Sequence, residues 1–330
     1  MSKSAVDELI DAIGGIDTVQ GVERWLDTGL PQLNKIISGR HDAGFPFGRI
    51  IEIYGPSQSG KTLLAQMAMI GAQKAGGIAM FNDHERRFNV DFSKRLGLRT
   101  DAPFWLYKKP ETWEKSNTLA LKAAEMIRQK EIIPKEAPIV IVFDSVASMI
   151  PKSVFEKGID EYNMNDTTAL ARVTSTTLKA VSHFVEQLGV TAIYLNQIRT
   201  KPGVLYGDPT TTPGGQAMEF YASTRLAIGR KKIKQGDEIV GQEISAKTTK
   251  NSFTRPFLEA NWRLNFLEDG CAHIDYIGSM IDYACERGFL NKSGTHIEWI
   301  DGKKYFRKAL VERLEKDADE AAALRALFKD

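Results

Sequence analysis

The segment GPSQSGKT at residues 55–62 constrains the fold more than any other part of the sequence. It follows the apolar run RIIEIY, precedes the helix-forming run TLLAQMAMIGAQKA, and matches the pattern G-x-x-x-x-G-K-[ST]. Between a strand and a helix, this pattern is typical of a phosphate-binding loop, whose backbone N–H groups and following helix N-terminus bind nucleotide phosphates. We therefore expect nucleotide contacts from the whole loop, namely Gly55, Pro56, Ser57, Gln58, Ser59, Gly60, Lys61 and Thr62.

Two loop residues and a strand-end carboxylate are predicted to act on the phosphates and a metal ion. Lys61 is expected to reach the β- and γ-phosphates, and the Thr62 hydroxyl is expected to bind Mg²⁺. Asp144 directly follows the apolar run PIVIVF, where a carboxylate can approach the same ion. An Asp at such a place also caps helices, but its pairing with the phosphate loop favours the metal role.

The order of apolar and helical runs predicts an α/β fold. Near-continuous apolar runs at 49–54, 77–82, 138–143 and 190–195 alternate with helix-like segments, which indicates a mostly parallel sheet covered on both faces. After Ser223 strand-like runs follow one another without helices, so they are expected to extend the sheet as antiparallel strands. From about Asn265 onward, shorter segments and an Ala/Leu/Glu-rich helix indicate a small α+β domain.

Composition limits the classes of protein that remain. The formal net charge of +2 comes from 44 basic and 42 acidic residues, so any affinity for nucleic acid must come from local clustering. Two Cys give no disulfide framework. No apolar run approaches the ~18 residues that a membrane-spanning helix needs, and the acidic, amphipathic start does not resemble a signal peptide. We expect a cytoplasmic protein without a membrane partner.

Glu85 is the candidate for orienting an attacking water. It lies in NDHE, at the end of the strand candidate that follows the phosphate-loop helix, so it is expected beside the γ-phosphate. On the residues alone, an ordinary surface Glu in a charged turn with Arg86 and Arg87 is an equal alternative.

Several motifs in order resemble the RecA family of bacterial homologous-recombination ATPases, in a bacteriophage-type or divergent form. They are GRIIEIYGPSQSGKT, the D-x-E of NDHE, VFDSVASMIPK, YLNQIR, a loop ending in TTTPGG, and FYASTRLAI. The resemblance implies a RecA-like P-loop ATPase core at 34–264, with ATP and Mg²⁺ as cofactors. It also implies an N-terminal helical arm at 1–33 that contacts another subunit, and it matches the small C-terminal domain at 265–330.

The same resemblance assigns roles at the nucleotide. Glu85 corresponds to the family's catalytic carboxylate, and Gln197 to the glutamine that senses the γ-phosphate. Asn89 and Phe92 correspond to residues that contact adenine, although ordinary helix packing explains them nearly as well. Lys250 corresponds to a lysine that reaches the ATP of the neighbouring subunit. Ser252 and Glu219 stand where the family carries two further lysines of that interface.

The resemblance also implies two DNA-binding loops, at about 152–168 and 199–216. The second contains TKPGVLYGDPTTTPGG, whose Gly and Pro content opposes a helix or a central strand. Such long loops in compact domains are usually functional or disordered. The residues expected to contact DNA are Arg172, Lys179, Arg199, Lys201, Tyr206, Gly214 and Gly215.

The sequence thus predicts a DNA-dependent ATPase that forms helical filaments on single-stranded DNA and exchanges strands with a homologous duplex. Its expected partners are single-stranded DNA, double-stranded DNA and further copies of itself. Two other classes remain open, a hexameric DNA motor with the same core and a non-catalytic ATP-binding recombination accessory protein.

Overall fold

The computed structural model describes residues 4–12, 14, 21–163, 166–200 and 210–329. Its helices are α1 Ala5–Ala12, α2 Pro31–Ser38, α3 Lys61–Lys74, α4 Val90–Arg95, α5 Trp113–Gln129, α6 Lys152–Phe155, α7 Asp166–Leu188, α8 Ala217–Tyr221, α9 Tyr276–Glu286, α10 Arg307–Lys316 and α11 Ala318–Ala326. Its strands are β1 Trp25–Leu26, β2 Phe45–Pro46, β3 Arg49–Gly55, β4 Ile78–Asp83, β5 Trp105–Lys108, β6 Ile139–Asp144, β7 Val190–Gln197, β8 Arg199–Thr200, β9 Thr210–Thr211, β10 Thr224–Gln235, β11 Glu238–Asn251, β12 Glu259–Phe266, β13 Ala272–Asp275, β14 Asn291–Ser293, β15 His296–Glu298 and β16 Lys304–Phe306.

A large mixed sheet forms the centre of the molecule. Within the described residues its strand order is β13-β12-β11-β10-β3-β7-β6-β4-β5. The strands from β10 to β5 pair in parallel, and β10 to β13 pair antiparallel. The predicted α/β fold, with a mostly parallel sheet extended by antiparallel strands, is therefore confirmed.

Helices cover the two faces of the parallel strands because those strands are apolar on both sides. One face packs on α2 and α3 through residues such as Leu33, Leu64 and Ile53. The other face packs on α5 and α7 through residues such as Trp113 and Leu178. Burying both faces explains why the parallel strands carry near-continuous apolar runs rather than alternating ones. Because β3, β4, β6 and β7 are parallel, their carboxyl ends meet at one edge of the sheet. The candidate site lies at that edge.

The ends of the chain meet the large sheet in two places. Leu26, Leu30 and Leu33, in the segment expected to form the N-terminal arm, are buried in the apolar cluster around α3. At the other end, α9, α10, α11 and the β14–β16 sheet enclose an apolar cluster of their own. His41 Nε2 lies 3.1 Å from the hydroxyl of Tyr283, which joins this C-terminal part to the core.

The two predicted loops have local structure where they are described. Between 152 and 163, α6 and a 3₁₀ turn at Ile159–Glu161 occupy the first loop, and α7 begins at Asp166. The ends of the second loop pair as a two-residue ribbon, Arg199 with Thr211 and Thr200 with Thr210. Lys201 and Tyr206, both predicted to bind DNA, lie outside the described residues. In the part of the chain that is described, no helix is long and apolar enough to span a membrane.

Candidate functional site

The predicted phosphate loop joins the end of β3 to the start of α3. A Cβ on Gly55 would lie 2.4 Å from the carbonyl oxygen of Ile228, so only glycine fits there. Gly60, which precedes the 14-residue helix α3, has φ +98°, in the left-handed region that favours glycine. The hydroxyl of Ser59 is buried and has no hydrogen-bond partner among the described residues. A backbone cradle with an unused buried donor at a helix N-terminus fits a phosphate group.

Lys61 closes the loop on itself. Its Nζ donates hydrogen bonds to the carbonyl oxygens of Gly55, at 3.0 Å, and Pro56, at 2.6 Å. Burial lowers the pKa of Lys61, although the carboxylates of Asp144 and Glu85 oppose that shift. The ammonium group is therefore held where an incoming phosphate could replace backbone carbonyls as its partner.

Thr62 and Asp144 meet beside the loop, although 82 positions separate them in the sequence. The Thr62 hydroxyl donates to Asp144 Oδ2 at 2.9 Å. Burial, together with the nearby Glu85 carboxylate, raises the pKa of Asp144 to about 7. A hydroxyl and a buried carboxylate are hard oxygen ligands of the kind that Mg²⁺ takes, so these two side chains fit the predicted metal position.

Glu85 is held by side chains from two other elements. Its Oε1 accepts a hydrogen bond from Ser145 Oγ, just after β6, at 2.7 Å. The same atom accepts from Gln197 Nε2, the last residue of β7, at 3.0 Å. The Glu85 N–H donates to the carbonyl oxygen of Asp144 at 3.1 Å, which ties the Glu85 turn to the end of β6. Glu85, Gln197 and Asp144 thus form one cluster at the edge of the sheet.

Asp83 supports this turn from below. Its Oδ1 accepts from the Arg86 N–H at 2.6 Å, and its Oδ2 accepts from the Tyr107 hydroxyl at 2.7 Å. Sequence reasoning did not single out Asp83, Tyr107 or Ser145 for a role. Both Asp83 and Ser145 stand beside predicted residues, in NDHE and VFDS, and that adjacency at strand ends was the available signal.

The residues predicted near adenine and the neighbouring subunit have contacts within this chain. Asn89 Oδ1 caps α4 by accepting from the Phe92 N–H at 3.0 Å, and Phe92 is half-buried against the core. Lys250 Nζ donates to the carbonyl oxygens of Glu219, at 2.6 Å, and Phe220, at 2.8 Å. Burial, with Arg225 nearby, lowers the pKa of Lys250.

Four of the five described DNA-loop candidates lie on or against α7, and the fifth, Arg199, lies on β8. Arg172 and Lys179 are exposed, and Arg172 Nη2 donates to Thr168 Oγ1 at 2.7 Å. Gly214 and Gly215 have φ of +91° and +70°, and a Cβ on Gly215 would lie 3.1 Å from the Cβ of Ala171. These glycines thus let the returning loop pass close to α7. Arg199 is exposed on β8, at the other end of the loop.

The strand–loop–helix cradle, the Thr62–Asp144 pair and the parallel sheet define a P-loop protein. Comparisons with known proteins narrow the class. A family model described as the RecA N-terminal domain matches residues 25–271. The chain belongs to the RecA family and is a recombination protein of the RecA type, as the sequence motifs predicted.

Relatives named protein RecA match most of the chain. The RecA of Nocardia farcinica is 38% identical over 275 residues, which are 82% of this chain and 74% of that protein. The RecA of Bacteroides thetaiotaomicron is 39% identical over 290 residues, 88% of this chain and 81% of that protein. The RecA of Mycobacteroides abscessus is 36% identical over 299 residues, 87% of this chain and 81% of that protein.

Proposed function

We propose that this protein is an ATPase stimulated by DNA, that it assembles as a filament on single-stranded DNA, and that the filament exchanges strands with a homologous duplex in the cytoplasm. The observation that carries the proposal is the position of the Glu85 carboxylate. This carboxylate accepts a hydrogen bond from Gln197, which lies two residues before the start of the second loop. It also lies beside the Thr62–Asp144 pair. Membership of the RecA family supports the same activity.

The residues of this chain divide the work at the nucleotide. The loop N–H groups and Lys61 would neutralise phosphate charge, and Thr62 with Asp144 would hold Mg²⁺, which supplies further charge stabilisation. Asn89 and Phe92 would contact the base, and Lys250 would leave its carbonyl partners to reach the ATP of an adjacent subunit. The Glu85 carboxylate would orient water and accept its proton. Hydrolysis depends on positioning, so it should be slow until DNA and a second subunit complete the site.

Gln197 would couple nucleotide to DNA. Its side-chain amide donates a hydrogen bond to Glu85, and a bound γ-phosphate would compete with Glu85 for that amide. A change in the conformation of Gln197 on nucleotide binding would move the backbone that leads into Arg199 and the second loop. That loop, with Arg172 and Lys179 of α7, would contact the DNA backbone and leave base edges free for pairing.

The proposal is tested by ATP hydrolysis with and without single-stranded DNA, together with electron microscopy of the same mixtures. We expect DNA-stimulated turnover and open helical filaments from the parent protein. Lys61→Ala should lose hydrolysis and weaken ATP binding, whereas Glu85→Gln should retain bound ATP and nearly stop turnover. Lys74→Ala, at the far end of the same helix, is a control of equal charge change and should behave as the parent.

Each alternative has its own outcome. Closed six-membered rings with DNA-stimulated hydrolysis would indicate a hexameric ring motor rather than a filament-forming protein. Neither filaments nor hydrolysis, with ATP still bound, would indicate an accessory protein. Normal turnover by Glu85→Gln would refute the role of that carboxylate.

A further inference from the structure

A buried charged cluster crosses three neighbouring strands behind the nucleotide site. Glu52 on β3 is fully buried, and its two oxygens are both used. Its Oε2 accepts from Arg225 Nε, on β10, at 2.6 Å, and its Oε1 accepts from Asn196 Nδ2, on β7, at 2.9 Å. The strand register explains the contact, because Arg225 stands directly opposite Glu52 and Asn196 is two residues beyond the position opposite it. We call Glu52, Arg225 and Asn196 the cross-strand triad.

The cross-strand triad contacts the returning end of the second loop. Asn196 Nδ2 also donates to the carbonyl oxygen of Pro213 at 2.9 Å, and Arg225 Nη2 donates to Thr212 Oγ1 at 3.4 Å. Both loop residues are buried, at the end of the loop that leads into α8. The triad therefore fixes Thr212 and Pro213, at the described end of the second loop, to the core.

A further contact leads from the triad to helix α8. Arg225 Nη1 donates to Glu219 Oε1 at 3.0 Å, and the Glu219 side chain is 53% exposed. Glu219 stands where the family resemblance implies a lysine, and a lysine could not form this ion pair with Arg225. The ion pair is therefore specific to the sequence of this chain. Arg225 thus divides its guanidinium between an inner partner, Glu52, and an outer partner, Glu219.

The triad is also one residue along β7 from the cluster of Glu85, Gln197 and Asp144, which we call the nucleotide cluster. Asn196 and Gln197 are successive residues of β7, so their side chains point to opposite faces of the sheet. Asn196 Oδ1 accepts the Gln197 N–H at 3.0 Å, while the Gln197 side chain is bonded to Glu85. Any shift of Gln197 that moves its backbone N–H also changes the hydrogen bonding of Asn196.

The energetics favour a role in position rather than in stability. A buried ion pair loses hydration that its mutual attraction only partly offsets, and apolar residues of the same volume often stabilise a core equally well. Burial on its own would lower the pKa of Arg225, yet the carboxylates of Glu52 and Glu219 raise it above its ordinary value. Charged hydrogen bonds with both oxygens occupied fix one geometry, which apolar packing would not do.

We propose that the cross-strand triad is a positioning element that transmits the state of the nucleotide cluster to the returning end of the second loop and to α8. The inference rests on the proposed function, since it requires that ATP alters DNA affinity. Glu52 and Arg225 touch neither nucleotide nor DNA in this role. They hold Pro213, Thr212 and Glu219 in a register that Gln197 and Asn196 can shift.

The test measures the affinity for single-stranded DNA with and without a non-hydrolysable ATP analogue. The quantity compared between variants is the ratio of the affinity with the analogue to the affinity without it. Glu52→Gln keeps the shape and the acceptor for Asn196 but removes the charge that holds Arg225. We expect its ratio to fall at least tenfold towards one, a loss within the usual range of allosteric coupling, while ATP affinity stays within about threefold of the parent. Glu219→Gln, which acts at a half-exposed side chain, should lower the ratio about threefold without a loss of folding.

Asp275→Asn is the matched control for breaking an ion pair. Asp275 is buried and lies 2.9 Å from Arg307 in the C-terminal part of the chain. This variant should lose thermal stability but keep the parent ratio, which separates coupling from general destabilisation. If folded Glu52→Gln keeps the parent ratio, or if Glu52→Gln fails to fold and Glu219→Gln keeps it, the inference is wrong. A parent ratio of one would instead refute the proposed function, on which the inference rests.

Discussion

The hydrogen bond from Ser145 to Glu85 leads to a quantitative prediction. Ser145 is fully buried, and its hydroxyl donates to the carboxylate over 2.7 Å. A hydrogen bond to a charged group contributes about 1.5–3 kcal/mol. Gln197 continues to donate to the same oxygen in a Ser145→Ala variant, so we take the lower end, about 1.5 kcal/mol. Since 1.36 kcal/mol corresponds to tenfold in rate, DNA-stimulated kcat should fall about tenfold.

The assay is steady-state ATP hydrolysis at saturating single-stranded DNA, combined with nucleotide binding. Ser145→Ala should lower kcat and leave ATP affinity within about threefold, because the lost contact orients Glu85 rather than the phosphates. Ser148→Ala is the control, since Ser148 Oγ lies 3.4 Å from Ser145 Oγ and is one further hydroxyl along the same turn. Turnover of Ser145→Ala within about twofold of the parent would refute the reasoning that this contact positions the carboxylate.

Three further predictions follow from the site and its loops. Gln197→Ala should keep ATP affinity and lose the effect of ATP on DNA affinity, and equal enhancement in variant and parent would contradict it. Without nucleotide, Asp144→Asn should be more stable than the parent above pH 7. The folded-state pKa of Asp144, about 7, exceeds the ordinary value, so ionising Asp144 destabilises the fold. The advantage of the variant in melting temperature should therefore shrink as pH falls from 7 towards 4. A parent protein that melts at a higher temperature than the variant at pH 8 would exclude this. Lys201→Ala combined with Tyr206→Ala should keep the fold, weaken single-strand binding and reduce its salt slope by about one unit, and an unchanged slope would exclude the lysine contact.

The fold was predictable because its signals are local and repeated. The apolar runs at 49–54, 77–82, 138–143 and 190–195 correspond to β3, β4, β6 and β7, with ends differing by at most two residues. Placing Thr62, Asp144 and Glu85 at one edge required only that parallel strands present their carboxyl ends together. The structure brings Thr62 and Asp144 into contact on that basis.

The cross-strand triad could not be predicted in the same way. Glu52 is separated from Asn196 by 144 positions and from Arg225 by 173, and their contact depends on the order and register of β7, β3 and β10. A Glu within an apolar strand indicates an unusual buried charge, but it does not identify the partner. Likewise, the sequence of α4 could not distinguish a base contact by Asn89 from the helix cap that the structure contains.

The end of β7 has a consequence for how this protein can change over generations. Asn196 and Gln197 point to opposite faces of one sheet, so the single peptide unit between them determines which face each side chain meets. Inserting or deleting one residue between Tyr194 and Gln197 would turn the Gln197 amide from the face of Glu85 to the face of Glu52. It would also turn the Asn196 amide away from Pro213. Lineages of this chain should therefore keep the length of β7, and residues gained or lost should accumulate in the loop beyond Arg199 instead.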